Sequence, residues 1–161
     1  MSKFQSPYPN DKYRSMKNYK NEVIIDAPKA RVVELFNNPD NLKEWQEGFI
    51  SMESIEGEPG TVGSKHKMRY KMGKRDIEMI ETITKMDLPN TFSATYEAKN
   101  VFNNIANHFE DYEGGKTRYW TENEFKLSGM MMVFGWIMPG AFKKQSQKYM
   151  DDFKAFVEKQ S

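Results

Sequence analysis

Apolar and polar residues change their spacing several times along this chain, and each change marks a change of element. Val23-Ile24-Ile25, inside Tyr19 to Asp26, reads as a short strand stopped by Asp26-Ala27-Pro28. Pro28 suits the first turn of a helix, and Val32, Val33, Leu35 and Phe36 give that helix one apolar side as far as Asn37-Asn38-Pro39. A second short helix, about Asp40 to Gln46, carries Leu42 and Trp45. From Phe49 the period falls to two. Phe49 to Glu56 is a strand, and Ser64 to Met72 sets His66, Met68, Tyr70 and Met72 against Lys65, Lys67, Arg69 and Lys71. After Leu127 the period becomes helical again, interrupted by Gly135, Pro139 and Gly140. From Ala141 to about Lys159 one stripe of Phe142, Tyr149, Phe153, Phe156 and Val157 follows a helix about 28 Å long.

Turn residues set the expected strand pairing. Gly73-Lys74 reads as a two-residue hairpin turn, which opposes Lys71 to Asp76 and Arg69 to Glu78 on an outer face. The inner face then pairs Tyr70 with Ile77, Met68 with Met79 and His66 with Glu81. A tight turn at Gly114-Gly115 opposes Glu113 to Lys116, Asp111 to Arg118 and Phe109 to Trp120, with the charged pairs outside. On that register one strand points Phe102, Asn104, Ala106, His108, Glu110 and Tyr112 inward. Its partner contributes Thr117, Tyr119, Thr121, Asn123, Phe125 and Leu127. Thr91 to Glu97 alternates too, with Phe92, Ala94 and Tyr96 as the inward set. A two-residue turn at Lys99-Asn100 would place these rings on the outer face of the next strand, so this register requires an odd-length loop there.

The element order is strand, two short helices, six antiparallel strands and one long helix. It predicts an α+β fold in which a curved antiparallel sheet of about seven strands wraps the C-terminal helix. Residues 1–16, with Pro7, Pro9, Asn10 and Asp11 and no period, read as a flexible arm ahead of a single domain over residues 17–161.

Composition narrows the function classes. The 161 residues include 11 Phe, 8 Tyr and 3 Trp, enough large side chains for a core at 38% apolar content. Net charge is +1, with 24 basic and 23 acidic residues spread along the chain, so no basic stripe invites nucleic acid. The absence of cysteine removes disulfides, thiolate chemistry and Cys-ligated zinc, and two histidines do not suffice for a multi-His metal site. No cofactor fingerprint or phosphate-binding loop is visible, and no cofactor is expected. The polar N-terminus does not resemble a signal peptide, and Gly129 to Phe142 is too short to span a bilayer, so a cytoplasmic protein without stable membrane insertion is expected. Twelve methionines suit either ordinary core filling or an adaptable binding surface.

In this order, several segments resemble the START-like, or SRPBCC, superfamily of helix-grip domains. They are Glu22 to Pro28 (EVIIDAP), Val32 to Phe36 (VVELF), Pro39 to Trp45 (PDNLKEW), Gly63, Met86 to Asn90 (MDLPN) and Gly115 to Tyr119 (GKTRY). The superfamily includes pollen-allergen-type ligand carriers, polyketide cyclase and dehydratase proteins, and lipid-transfer domains. The resemblance implies a cavity between sheet and long helix that holds a hydrophobic or amphipathic small molecule. By position it implies an aromatic at the cavity mouth, matched by Trp45, and inward residues after Thr117. It implies no catalytic motif.

The residues themselves suggest where chemistry could lie. His66 opposite Glu81 could act as general acid and base, or could be a satisfied polar pair at the cavity rim. His108, Thr121, Asn123 and Asn104 could hydrogen-bond a ligand carbonyl or hydroxyl, or hold ordered water. Met68, Tyr70, Met79, Phe92, Tyr96, Tyr119 and Phe125 supply apolar wall or core. Phe134, Met138 and Phe142 could form a gate where the final helix begins. The leading expectation is a binding protein for a lipid, polyketide or aromatic molecule. The alternatives are a cyclase or dehydratase using His66, Glu81 or His108, and a chaperone co-factor acting through its surface. An apolar entrance helix shared between two chains would make a homodimer.

Overall fold

The computed structural model describes residues 14–160, with side chains from Asn18 onward; residues 1–13, most of the expected arm, lie outside the described residues. Seven strands form one antiparallel sheet: β1 (Arg14–Ile25), β2 (Phe49–Glu56), β3 (Lys65–Met72), β4 (Arg75–Asp87), β5 (Thr91–Ala98), β6 (Val101–Tyr112) and β7 (Lys116–Leu127). Their spatial order is β1-β7-β6-β5-β4-β3-β2. Helices α1 (Lys29–Phe36) and α2 (Leu42–Trp45), joined by a 3-10 turn at Pro39–Asn41, carry the chain from one sheet edge to the other. Then α3 (Met130–Ile137) and α4 (Ala141–Lys159) follow β7. This is the α+β architecture that the pattern predicts, and the helix-grip fold that the resemblance implies, except that β1 starts at Arg14 and takes in the end of the expected arm, and that a separate helix α3 precedes α4.

Each element forms for a local reason. Thr117 Oγ1 donates to the Ala27 carbonyl at 2.7 Å, which ties the bend before α1 to the start of β7. Phe36, on the inner side of α1, meets Phe92, Phe109, Tyr119 and Phe153 edge-on at centroid distances of 5.0–6.0 Å. Phe153 and Val157 on α4 are fully buried against this cluster. Edge-to-face packing of this kind adds about 0.5–1.5 kcal/mol per pair beyond burial. The dense core therefore sits under the C-terminal half of α4. The space under its N-terminal half is where a cavity can open.

The β3–β4 register is the expected one: Lys71 faces Asp76, Arg69 faces Glu78, and His66 faces Glu81. The β6–β7 register is not. Three residues, Glu113–Gly115, connect the strands, with Gly114 and Gly115 both at positive φ, and Tyr112 rather than Glu113 opposes Lys116. A slip of one residue moves every side chain of one strand to the other face. Phe102, Asn104, Ala106, His108, Glu110 and Tyr112 thus lie on the face away from α4, and Val101, Asn103, Ile105, Asn107 and Phe109 point inward. With this phase a two-residue turn at Lys99-Asn100 suffices, since Ala98 pairs directly with Val101 and Asn100 takes the required positive φ of 64°. The expected odd-length loop is absent.

Candidate functional site

A cavity of about 610 Å³ lies between the concave face of the sheet and the first half of α4. Seven of the 12 methionines line it, among them Met52, Met68, Met79, Met86, Met131 and Met150. Such a wall is apolar but can rearrange around different shapes, because each thioether side chain turns about three bonds. Phe142 stacks on Phe125 at 4.5 Å and closes the end nearest α3.

Two polar groups break this wall. On β3, β4 and β5, His66 Nδ1 lies 3.1 Å from Glu81 Oε1, and the Tyr96 hydroxyl donates to Glu81 Oε2 at 2.6 Å. His66 and Glu81 are only 4% and 5% exposed, so these two partners take the place of water around the carboxylate. Burial pushes the Tyr96 phenol well above its ordinary range, and the adjacent Glu81 carboxylate pushes it further. With Glu81 ionised, both of its oxygens accept; His66 Nδ1 is then the protonated nitrogen, and Nε2, on the far side of the ring, is the basic one.

The second group spans β6 and β7. Asn123 Nδ2 donates to Thr121 Oγ1 at 3.0 Å, and Asn103 Nδ2 reaches Asn123 Oδ1 at 3.4 Å. Tyr119 donates to Asn107 Oδ1 at 2.7 Å, while Asn107 Nδ2 donates to the Phe92 carbonyl, so Asn107 serves the wall more than the cavity. At the α2 side Tyr70 donates to Gln46 Oε1 at 2.5 Å. The buried Trp45 indole N–H there has no hydrogen-bond partner among the described residues. A buried donor left open in this way costs roughly 1–3 kcal/mol.

Of the expected site residues, Trp45, His66, Met68, Tyr70, Met79, Glu81, Phe92, Tyr96, Tyr119, Thr121, Asn123, Phe125 and Phe142 line the cavity. His108 and Asn104 do not. His108 stacks on Trp120 at 4.0 Å and approaches Glu122 Oε2 at 3.2 Å on the outer face. Phe134 and Met138 lie outside the wall, at its mouth, with Phe134 edge-on to Phe142. Asn103, Ile105 and Asn107 were hidden by the register slip. Gln145, Ser146 and Met150 also line the cavity, and steps of three and four residues along α4, from Phe142 to Gln145 and Ser146 and from Ser146 to Met150, could have found them.

The buried phenols predict an alkaline weakness. Burial raises Tyr19 to about 12, and also raises Tyr70, Tyr96 and Tyr119 well above the ordinary value. Below the ordinary value of 10.0 both folded and unfolded chains keep these protons, and stability is unaffected. Above it the unfolded chain releases protons that the fold retains, so stability falls as pH rises from 10.0 toward the folded values. Thermal melts across that range should show a steadily declining Tm. Absorbance of tyrosinate should rise in step with unfolding for these four side chains. Free titration of all 8 tyrosines in the folded protein would contradict the burial.

A family model described as polyketide cyclase / dehydrase and lipid transport matches residues 16–158. Among solved structures, a conserved protein from Geobacillus kaustophilus aligns with a TM-score of 0.72 at 16% identity, over 89% of this chain and 96% of that one. The Zhui aromatase/cyclase from Streptomyces sp. R1128 aligns at 0.71 with 11% identity, over 88% and 93%. Ara h 8.0201 aligns at 0.69 with 14% identity, over 88% and 97%. At these identities the structures share a fold with this chain. No curated protein matches it significantly.

Proposed function

Because this chain belongs to the polyketide cyclase / dehydrase and lipid transport family, we propose that it binds one amphipathic small molecule in the cavity beneath α4. The observation that carries this reading is the cavity itself: about 610 Å³, walled by methionines and aromatics, with two separate polar groups. That volume lies within the roughly 300–1,000 Å³ typical of small-molecule sites. Its composition favours an apolar body with at least one hydrogen-bonding handle, placed to meet Asn103, Thr121 and Asn123.

Native mass spectrometry of protein purified from a cell extract should therefore show a bound species. In a panel of fatty acids, aromatic polyketides and sterols, the best ligand at a hundredfold excess over its Kd should add about 2.7 kcal/mol of stability. For a chain of this size that is roughly 5–11 °C in Tm. Ile105→Trp, which projects a larger ring into the cavity from the sheet, should reduce that gain while the apo protein stays folded. No bound species and no stabilisation by any panel member would end this reading.

A second reading rests on His66, Glu81 and Tyr96. A carboxylate that orients an imidazole so that its basic nitrogen points away is the arrangement a general base needs. A proton taken from a ligand carbon or hydroxyl by His66 Nε2 would make the cavity a cyclase- or dehydratase-type site.

A further inference from the structure

The α3 segment leaves its apolar side chains in water. Its sequence, Met130 to Ile137 (MMMVFGWI), holds no charged residue, and Met130 is 78% exposed, Trp136 81% and Ile137 67%. Val133 and Met138 are also exposed. An apolar patch of this kind on a folded domain marks an interaction surface. Cations frame it. Lys143 and Lys144 begin α4, and Lys99 lies in the β5–β6 turn, which Ser128 joins by two hydrogen bonds to Asn100. The β3–β4 turn, at the same end of the sheet, adds Lys74 and Arg75. These five cations are exposed and make no ion pair among the described residues, against carboxylates Asp76 and Glu97 on the neighbouring strands.

We infer that α3 docks on the surface of an anionic phospholipid bilayer, with Trp136, Ile137 and Met130 in the headgroup–acyl boundary and the flanking lysines on the phosphates. The helix is eight residues long, about 12 Å, and the hydrocarbon core is about 30 Å thick, so it lies in the interface and does not cross. Tryptophan favours that depth, and cations beside it gain from the negative surface. The docked face is continuous with the cavity. Met131 lines it, and Phe134 touches Phe142, which stacks on Phe125 in the wall. Gly129, at a φ of 55°, and Gly140 bracket the segment, so α3 can tilt toward the bilayer as a unit and open the cavity to lipid.

Docking goes beyond the ligand reading and is measured with the cavity empty, so either can fail alone. The full chain should sediment with phosphatidylcholine vesicles containing phosphatidylglycerol, and less with phosphatidylcholine alone. The paired change Trp136→Ser and Ile137→Ser should weaken partitioning roughly tenfold or more without changing Tm, since both side chains are already in water. Lys143→Glu with Lys144→Glu should cost roughly tenfold or more on anionic vesicles and much less on neutral ones, and added salt should mimic it. Failure of the unaltered protein to bind either vesicle, or equal binding by the serine pair, overturns the inference. So does a concentration-dependent dimer that the serine pair abolishes in the absence of vesicle binding, which would assign the surface to a second copy.

Discussion

Phe153→Ala is expected to destabilise the fold by about 3–5 kcal/mol, a decrease of roughly 6–20 °C in Tm for a chain of this size. Phe153 is fully buried, and its ring lies 4.9 Å from Trp45 and 5.8 Å from both Phe36 and Tyr119. Those partners belong to α1, α2 and β7, so this one side chain on α4 ties three elements that all lie far from it in sequence. Truncation leaves a cavity whose walls are themselves braced rings and cannot collapse far, which places the cost toward the upper part of the range. Urea unfolding followed by far-UV circular dichroism would measure it. The exposed Phe134→Ala, by contrast, should change stability by less than about 1 kcal/mol. Similar losses from both variants would mean that α4 is not the clamp that the ring contacts indicate.

The same contrast explains what could be read in advance. The α4 stripe and the β3–β4 register were legible because each was fixed by two signals that agree: period with length in one, turn residues with charge pairs in the other. The β6–β7 register had only charge to settle it, and there charge is degenerate. Glu110 and Asp111 are adjacent, and Arg118 pairs across the strands with Glu110 at 3.1 Å as readily as the expected partner Asp111 would have allowed. Two glycines in succession also permit a three-residue connection that most residue pairs would resist. A conflict was nevertheless present in the sequence. With the wrong phase on β6, Phe92, Ala94 and Tyr96 required an odd loop at Lys99-Asn100, whereas Asn at the second position of a two-residue turn is a good left-handed residue. Giving that turn priority would have moved His108 out and Asn103, Ile105 and Asn107 in. The cavity polarity therefore survives, but asparagines carry it in place of the second histidine.

Of that polarity, the Glu81 network should be the most sensitive to change. Glu81→Leu removes the acceptors of two donors at once, the Tyr96 hydroxyl and the His66 ring N–H. Breaking a buried pair by deleting one member costs about 3–5 kcal/mol, because the survivor keeps its desolvation without its partner. Tyr96→Phe withdraws a single donor and leaves the His66 contact, so about 1 kcal/mol is expected. If the cost in Glu81→Leu comes from stranded donors, then adding His66→Leu and Tyr96→Phe should recover much of it, since apolar residues of similar volume fill such sites well. Calorimetry on the single, double and triple variants separates a network from three independent contacts. Glu81→Gln then separates holding from catalysis: it keeps volume and an acceptor for Tyr96 but puts an N–H where the second carboxylate oxygen met His66 Nδ1. On whichever molecule copurifies, an acid–base role requires Glu81→Gln and His66→Ala to slow turnover roughly 10²–10⁴-fold while the Kd changes little. Unchanged turnover in both variants would leave the pair as the cavity's polar anchor, and the chain as a carrier.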